Sequence, residues 1–135
     1  MPPERQIPGS PEDWLGRARS DLALAKVPLP EGARYEDLCF HAQQAAEKAM
    51  KAVYRAYKRE FRYTHDLAEL LNGLSGAGVE VPEEIQDAVE LTAFAWEARY
   101  PGTGEPASEA EYRRAVALAE RVVHWAEAHV ERKTL

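Results

Sequence analysis

The stretch from Asp37 to Arg62 constrains the fold more than any other part of the sequence. Its apolar residues recur at about 100° per residue, the spacing of an α-helix. They are Leu38, Ala42, Ala45, Ala46, Ala49, Met50, Val53, Tyr54 and Tyr57. Many of them are alanines, and small side chains let neighbouring helices approach closely. The pattern therefore predicts one long helix with at least two others packed against it.

Further helices are predicted on both sides of this stretch. Ser10 is a capping hydroxyl before a proline and two acids, which is typical of a helix start. A short leucine-rich helix should follow a cap at Thr64, and another helix should start at Val81–Pro82. Ser108 and Glu111 have the spacing of a capping box. No segment alternates like a strand, so we predict an all-α, up-and-down bundle of about five helices with one long central helix.

Length and composition fit a single small domain. The 135 residues suffice for one hydrophobic core, and we assign residues 1–9 to a flexible N-terminal arm and 10–135 to one helical domain. The single cysteine, Cys39, excludes a disulfide framework. No secretory signal or membrane-spanning run is evident, so we expect a cytoplasmic protein without membrane attachment.

Cofactor and metal sites are not predicted. The glycines between residues 73 and 78 lack the lysine and the preceding strand of a phosphate-binding loop. His124 and His129 are five residues apart and would point in different directions on a helix, so they do not form a metal-binding pair.

Positive charge is concentrated in the second half of the long helix, although the chain carries a net charge of −6. The basic residues are Lys48, Lys51, Arg55, Lys58, Arg59 and Arg62, against one acid, Glu60. One interpretation is a solvated helix face with a few weak ion pairs. The other is a surface that binds phosphates, with Tyr54, Tyr57, Phe61 and Tyr63 placed to stack on bases.

His65 is the best candidate for proton transfer. It stands at the predicted start of a helix, where the dipole disfavours a charged imidazolium and favours a neutral acceptor. Arg59 and Arg62 would hold a nearby phosphate, so Arg59 and His65 form a candidate catalytic pair. Packing or hydrogen bonding across the turn is the structural alternative for His65.

Four groups of residues resemble the HEPN family of small α-helical proteins. They are Trp14-Leu15 with Ala18, Asp21-Leu22 and Ala25; the segment FHAQQAAEKAMKA at residues 40–52; Thr64-His65-Asp66-Leu67 with Leu70-Leu71; and Arg99-Tyr100-Pro101. The resemblance implies a helical bundle that forms dimers or higher homo-oligomers. It also implies a separate minimal nucleotidyltransferase as partner, often in a toxin–antitoxin pair.

Many members of this family are ribonucleases that use an arginine followed closely by a histidine late in the domain. This chain departs from that pattern, since no histidine follows Arg99 at the expected distance. Arg59 with His65, and Arg34 with His41, satisfy the spacing elsewhere in the chain.

Two main hypotheses follow, and they leave open whether the chain is an enzyme. The first is a HEPN-type binding and interaction module for nucleotides or RNA, with the candidate binding residues Lys48, Lys51, Arg55, Arg59, Arg62 and Arg99. The second is a metal-independent ribonuclease, the toxin of its pair, that uses Arg59 and His65. A third possibility is an antitoxin or adaptor that only covers a nucleotidyltransferase.

Overall fold

The computed structural model describes residues 7–95 and 106–134. Its helices are α1 (Pro11–Ala25), α2 (Tyr35–Ala56), α3 (Leu67–Gly76), α4 (Glu83–Gln86) and α5 (Glu109–Thr134), with a 3₁₀ helix at Asp87–Phe94 between α4 and α5. No strand occurs within those residues. The all-α prediction of about five helices around one long central helix is confirmed.

Helix α2 is the centre of the bundle because both α1 and α5 pack against it. Its alanines at positions 42, 45, 46 and 49 are completely buried, as predicted from their small size and helical spacing, and Ala52 is buried as well. Hydrogen bonds also connect the helices near the ends of the bundle. The Tyr112 hydroxyl of α5 donates to the Ala25 carbonyl of α1 at 2.6 Å, and the Ala107 amide donates to Glu36 of α2 at 3.0 Å.

Two of the predicted helix starts are confirmed by their caps. Ser10 Oγ accepts a hydrogen bond from the Asp13 amide at 3.1 Å. At the start of α5, Ser108 Oγ accepts from the Glu111 amide at 3.1 Å, and the Glu111 carboxylate accepts from the Ser108 amide at 3.2 Å. This reciprocal pair is the capping box that the sequence predicted.

The predicted end of the long helix was wrong. Helix α2 ends at Ala56, six residues before Arg62, and Lys58 takes a left-handed backbone conformation with φ of 57°. The Arg59 amide then donates to the Tyr54 carbonyl at 2.9 Å, which closes the turn. The chain bends because Phe61 packs edge-on against Trp14 and Tyr54. Arg59 and Arg62 therefore lie on an irregular segment beyond the helix.

The start of α3 was also misplaced. Asp66 is its N-cap and accepts from the Ala68 and Glu69 amides at 3.0 and 3.3 Å, whereas Thr64 accepts from the Asp66 amide just before the helix. The fourth predicted helix is a single α-turn that continues as the 3₁₀ helix. Most of the predicted N-terminal arm lies outside the described residues.

No helix in the described part of the chain is both long enough and apolar enough to span a membrane.

Candidate functional site: an arginine segment beside a buried glutamate

Two of the predicted binding lysines are neutralised by acids. Lys48 Nζ donates to Asp21 Oδ2 on α1 at 2.6 Å, and Lys51 Nζ donates to Glu47 Oε2 at 2.8 Å. Only 26% of the Lys48 side chain and 5% of the Lys51 side chain are exposed. The positive stripe predicted along α2 is therefore interrupted in its first half.

The exposed positive charge of the predicted stripe lies at the end of α2 and just beyond it. We call residues 55–62 the arginine segment, since it carries Arg55, Arg59 and Arg62, all exposed. Arg62 Nη1 lies 3.1 Å from Glu69 Oε1 in a solvent-exposed pair. Arg55 and Arg59 have no ion-pair partner among residues 7–95 and 106–134. Their guanidinium groups are open to an external anion.

Two grooves flank the arginine segment. The first has a volume of about 360 Å³ and is lined by Arg59, Arg62 and Glu69 together with Tyr54 and residues of α3. The second, of similar volume, lies between Arg55, Trp14 and Phe61. Glu60 borders both grooves. Each groove thus combines arginine with aromatic side chains, but each also has a carboxylate at its edge.

His65 is paired with a carboxylate that the sequence had not suggested. Its Nδ1 lies 2.8 Å from Glu47 Oε1, and 43% of its side chain is exposed. This hydrogen bond orients the imidazole and leaves Nε2 as the nitrogen that a ligand can reach. Arg59 lines the first groove, and His65 is not among the residues that line it.

Glu47 stays charged although it is buried. Burial alone would raise the pKa of its carboxyl, but hydrogen bonds from Lys51, His65 and Gln43, and the charge of Lys51, together lower that pKa below its usual value. The Gln43 amide donates to Glu47 Oε1 at 3.1 Å. The anion therefore has a partner on each side, as a buried carboxylate requires.

Aromatic rings surround the Lys51 ammonium. Its Nζ lies 5.4 Å from the ring centre of Trp14, 5.3 Å from that of Phe61 and 5.4 Å from that of Tyr63. These distances are within the range of cation–π attraction. Helix α1, helix α2 and the arginine segment thus meet around one buried ion pair.

Of the four aromatic residues predicted to stack on bases, only Tyr63 is open to solvent, with 89% exposure. Tyr54 is buried and its hydroxyl donates to the Leu70 carbonyl at 2.7 Å. The Tyr57 hydroxyl lies 2.8 Å from His129 Nδ1, and Phe61 is partly buried against the core.

A second carboxylate–histidine pair joins α1 to α2. Asp21 Oδ1 lies 3.0 Å from His41 Nδ1, while Oδ2 accepts from Lys48. Asp21 is only 7% exposed. This acid thus holds two partly exposed side chains on the neighbouring helix.

Sequence reasoning missed Glu47 and Asp21. Glu47 had a detectable signal, because it precedes Lys51 by four residues on a helix, the spacing of an ion pair. Asp21 had no such signal, since its partners lie on another helix.

Arg99, also predicted to bind nucleotides, lies outside the described residues. Within those residues no group of His, Cys, Asp or Glu side chains is arranged to hold a metal ion.

The HEPN domain model matches residues 11–129. The chain belongs to the HEPN family. Its fold is similar to the crystal structure of TT1696 from Thermus thermophilus, with 32% identity, a TM-score of 0.77, and coverage of 88% of this chain and 97% of that one. It is also similar to ST0689, an archaeal HEPN homologue, with 28% identity, a TM-score of 0.72, and coverage of 90% and 98%. No curated protein matches the sequence.

The match confirms the resemblance to the HEPN family that the four groups of residues indicated. The HEPN residues run from the start of α1 to the last turns of α5, so they include Glu47, His65 and the whole arginine segment.

Proposed function

We propose that this HEPN chain is a binding and interaction module that takes the phosphate groups of nucleotides or RNA on its arginine segment. The observation that carries the proposal is that Arg55 and Arg59 are exposed and have no acidic partner within the described residues, while Lys48 and Lys51 are already paired. The charges of Arg55 and Arg59 are therefore available to a ligand, and those of Lys48 and Lys51 are not.

Arginine suits this role because its planar guanidinium can make two parallel hydrogen bonds to a phosphate. The segment is short, contains Glu60 and lies next to Glu69, so only a few phosphates would be contacted. Binding should therefore be modest and should weaken as salt is added, since each contact releases counterions.

The test compares two double variants of equal charge. Arg55→Gln/Arg59→Gln removes the two unpaired charges, whereas Arg113→Gln/Arg121→Gln removes two exposed charges from α5. Binding of a labelled single-stranded RNA and of ATP is measured by fluorescence anisotropy at low and moderate salt. We expect the first variant to lose binding and its salt dependence, and the second to retain both. Equal binding by the two variants would refute the proposal.

We also propose that the chain assembles into homodimers or higher oligomers and pairs with a minimal nucleotidyltransferase in a toxin–antitoxin-like module. Membership of the HEPN family supports this proposal. Light scattering of the purified chain tests self-association, and co-purification with the product of a neighbouring nucleotidyltransferase gene tests the pairing. A monomer that fails to co-purify would contradict both. A cytoplasmic location stays a prediction.

One observation favours the second candidate function, a ribonuclease. The Glu47–His65 hydrogen bond keeps a proton on Nδ1, so that Nε2 can accept a proton from a ribose 2′-hydroxyl. The 2′-oxygen would attack phosphorus, the bond to the 5′-oxygen would break with uptake of a proton, and Arg59 would stabilise the charge on the phosphate. The products would be a 2′,3′-cyclic phosphate and a 5′-hydroxyl.

This candidate is tested by incubating the protein with RNA in the presence of a chelator. Cleavage by the native chain but not by His65→Ala would support it, and His124→Ala, which changes an exposed histidine on α5, serves as the control. No cleavage, or the same cleavage by all three proteins, would rule it out.

A further inference from the structure

Tyr63 is an exposed aromatic residue that is nevertheless held in place. It lies 89% exposed, directly after Arg62 in the chain. Solvent exposure of a whole tyrosine ring is unfavourable because the ring is largely apolar. A ring in this position next to exposed arginines is therefore available for contact with a ligand.

The contacts of Tyr63 fix the ring from one side. The Lys51 ammonium lies over it, 5.4 Å from the ring centre, and the His65 ring meets it at 6.3 Å with an interplanar angle of 62°. Both partners are hydrogen-bonded to Glu47, which is buried. The ring thus stands on a rigid base, and ordering it for a ligand costs little conformational entropy.

The other aromatic residues near the arginine segment do not present an exposed ring that is supported from one side. Tyr54 is buried beneath α3, and Tyr57 is engaged with His129. Phe61 is packed against Trp14. Among the residues predicted to stack on bases, Tyr63 alone combines exposure with support from below.

We propose that Tyr63 stacks on an unpaired nucleobase, so that the ligand of the arginine segment is single-stranded RNA or a free nucleotide and not duplex RNA. This inference rests on the proposed function, because it assigns the base of a ligand whose phosphates the arginines hold. Stacking on an aromatic side chain tolerates any base, since every base presents a π-face. Duplex RNA buries those faces within its own stack.

The test uses four probes: a single-stranded RNA, a duplex of the same sequence, AMP and inorganic pyrophosphate. We expect Tyr63→Ala to weaken binding of single-stranded RNA about 5- to 150-fold, the range measured for loss of one stacked base. Its affinity for pyrophosphate and for the duplex should not change. The dependence of affinity on salt should also match that of the native chain, because no phosphate contact is lost.

Two further variants separate stacking from other roles of the side chain. Tyr63→Phe keeps the ring and should bind like the native chain. Tyr63→Leu keeps an apolar cover over Lys51 without a π-face and should lose as much affinity as Tyr63→Ala. A midpoint of thermal unfolding that matches the native one shows that the Leu variant is folded. If Tyr63→Ala loses affinity equally for AMP and for RNA, a free nucleotide is a sufficient ligand. If it loses affinity only for RNA, the ligand is an RNA strand. Both results support the stacking role.

The outcomes distinguish this inference from the proposed function. If Arg55→Gln/Arg59→Gln abolishes binding but Tyr63→Ala and Tyr63→Leu bind RNA normally, the phosphate site stands and the stacking role is refuted. If the native chain binds the duplex as tightly as the single strand, stacking is refuted as well. If the native chain binds none of the four probes, the proposed function itself fails.

Discussion

Glu47 Oε1 and His65 Nδ1 lie 2.8 Å apart and connect the middle of α2 to the turn before α3. The same carboxylate accepts from Lys51 through its other oxygen. One buried acid therefore sets both the position of a buried lysine and the orientation of a partly exposed histidine.

We predict that Glu47→Gln destabilises the fold by about 3–5 kcal/mol, because it leaves the Lys51 ammonium buried without a counter-charge. Urea unfolding measures the change in free energy of unfolding. The control is Glu109→Gln, which removes an acid from a solvent-exposed pair with Arg113 and should change stability very little. A small effect of Glu47→Gln would contradict the prediction.

The pKa of Glu47 predicts acid sensitivity as well. Because its hydrogen bonds hold the folded pKa below the ordinary value of 4.5, the charged carboxylate stabilises the fold at higher pH. That contribution should be lost as pH falls from about 4.5 through the folded pKa. Unfolding midpoints at pH 7 and pH 3 should therefore differ less for Glu47→Gln than for the native chain. A parallel decline in both proteins would contradict the prediction.

His129 should also make the stability of the fold depend on pH, in a range above that of Glu47. Burial, followed by the charges of Arg132 and Lys133, lowers the pKa of His129 below 6.5. The folded state therefore favours neutral His129, whose Nδ1 can accept a hydrogen bond from the Tyr57 hydroxyl. The unfolded chain binds a proton at His129 more readily than the folded chain does. Stability should therefore decrease as pH falls through about 6.5 towards the lower pKa of the folded state.

Thermal unfolding between pH 8 and pH 5 tests this effect. The difference in midpoint between native and His129→Gln proteins should change with pH, because Gln cannot be protonated. For His124→Gln, which replaces an exposed histidine on the same helix, we expect a curve parallel to the native one. Parallel curves for all three proteins would exclude His129 as the titrating group.

Gly73 of α3 is required by the Tyr54 side chain. A Cβ at position 73 would overlap the Tyr54 hydroxyl oxygen, which donates to the Leu70 carbonyl. We expect Gly73→Ala to destabilise the protein by about 1–3 kcal/mol, despite the better helix propensity of alanine. Adding Tyr54→Phe, which removes the overlapping atom, should recover part of the loss.

The neighbouring Gly76→Ala is the matched control for Gly73. No atom lies within 4 Å of a Cβ at position 76, so alanine should be tolerated or mildly stabilising there. Chemical denaturation of the three variants gives the comparison. Equal tolerance at both positions would mean that Tyr54 moves away at little cost.

Asp21 and Lys48 should be energetically coupled across α1 and α2. Their oxygen and nitrogen atoms are 2.6 Å apart, and the Asp21 side chain is 10% exposed. A double-mutant cycle with Asp21→Asn and Lys48→Met should give a coupling of about 1 kcal/mol. The same cycle on the exposed Arg113–Glu109 pair should show no measurable coupling. An equally small value for Asp21 and Lys48 would show that their pair does not help to join the two helices.

The sequence predicted features that depend on neighbouring residues. The caps at Ser10 and Ser108 have partners three residues away, and the alanine face of α2 is a helical spacing that can be read from one short stretch. The end of α2 was misplaced, since the turn after Ala56 depends on Phe61 packing against Trp14, far away in the chain.

The candidate site was predictable only in part for the same reason. The basic residues were evident from composition, but which of them are available depends on acids elsewhere in the fold. Asp21 reaches Lys48 from another helix, and Glu47 reaches His65 across 18 positions. Charge counted along a sequence does not show which charges are already neutralised.

The sharing of Glu47 between Lys51 and His65 has a consequence for how variants of this protein are interpreted. A change at position 47 alters the packing of the bundle and the orientation of the exposed imidazole at the same time. Selection for a foldable chain and selection for any ligand contact at His65 therefore act on one side chain. Loss of function in a Glu47 variant can be assigned to the site only where the population of folded protein is measured alongside it.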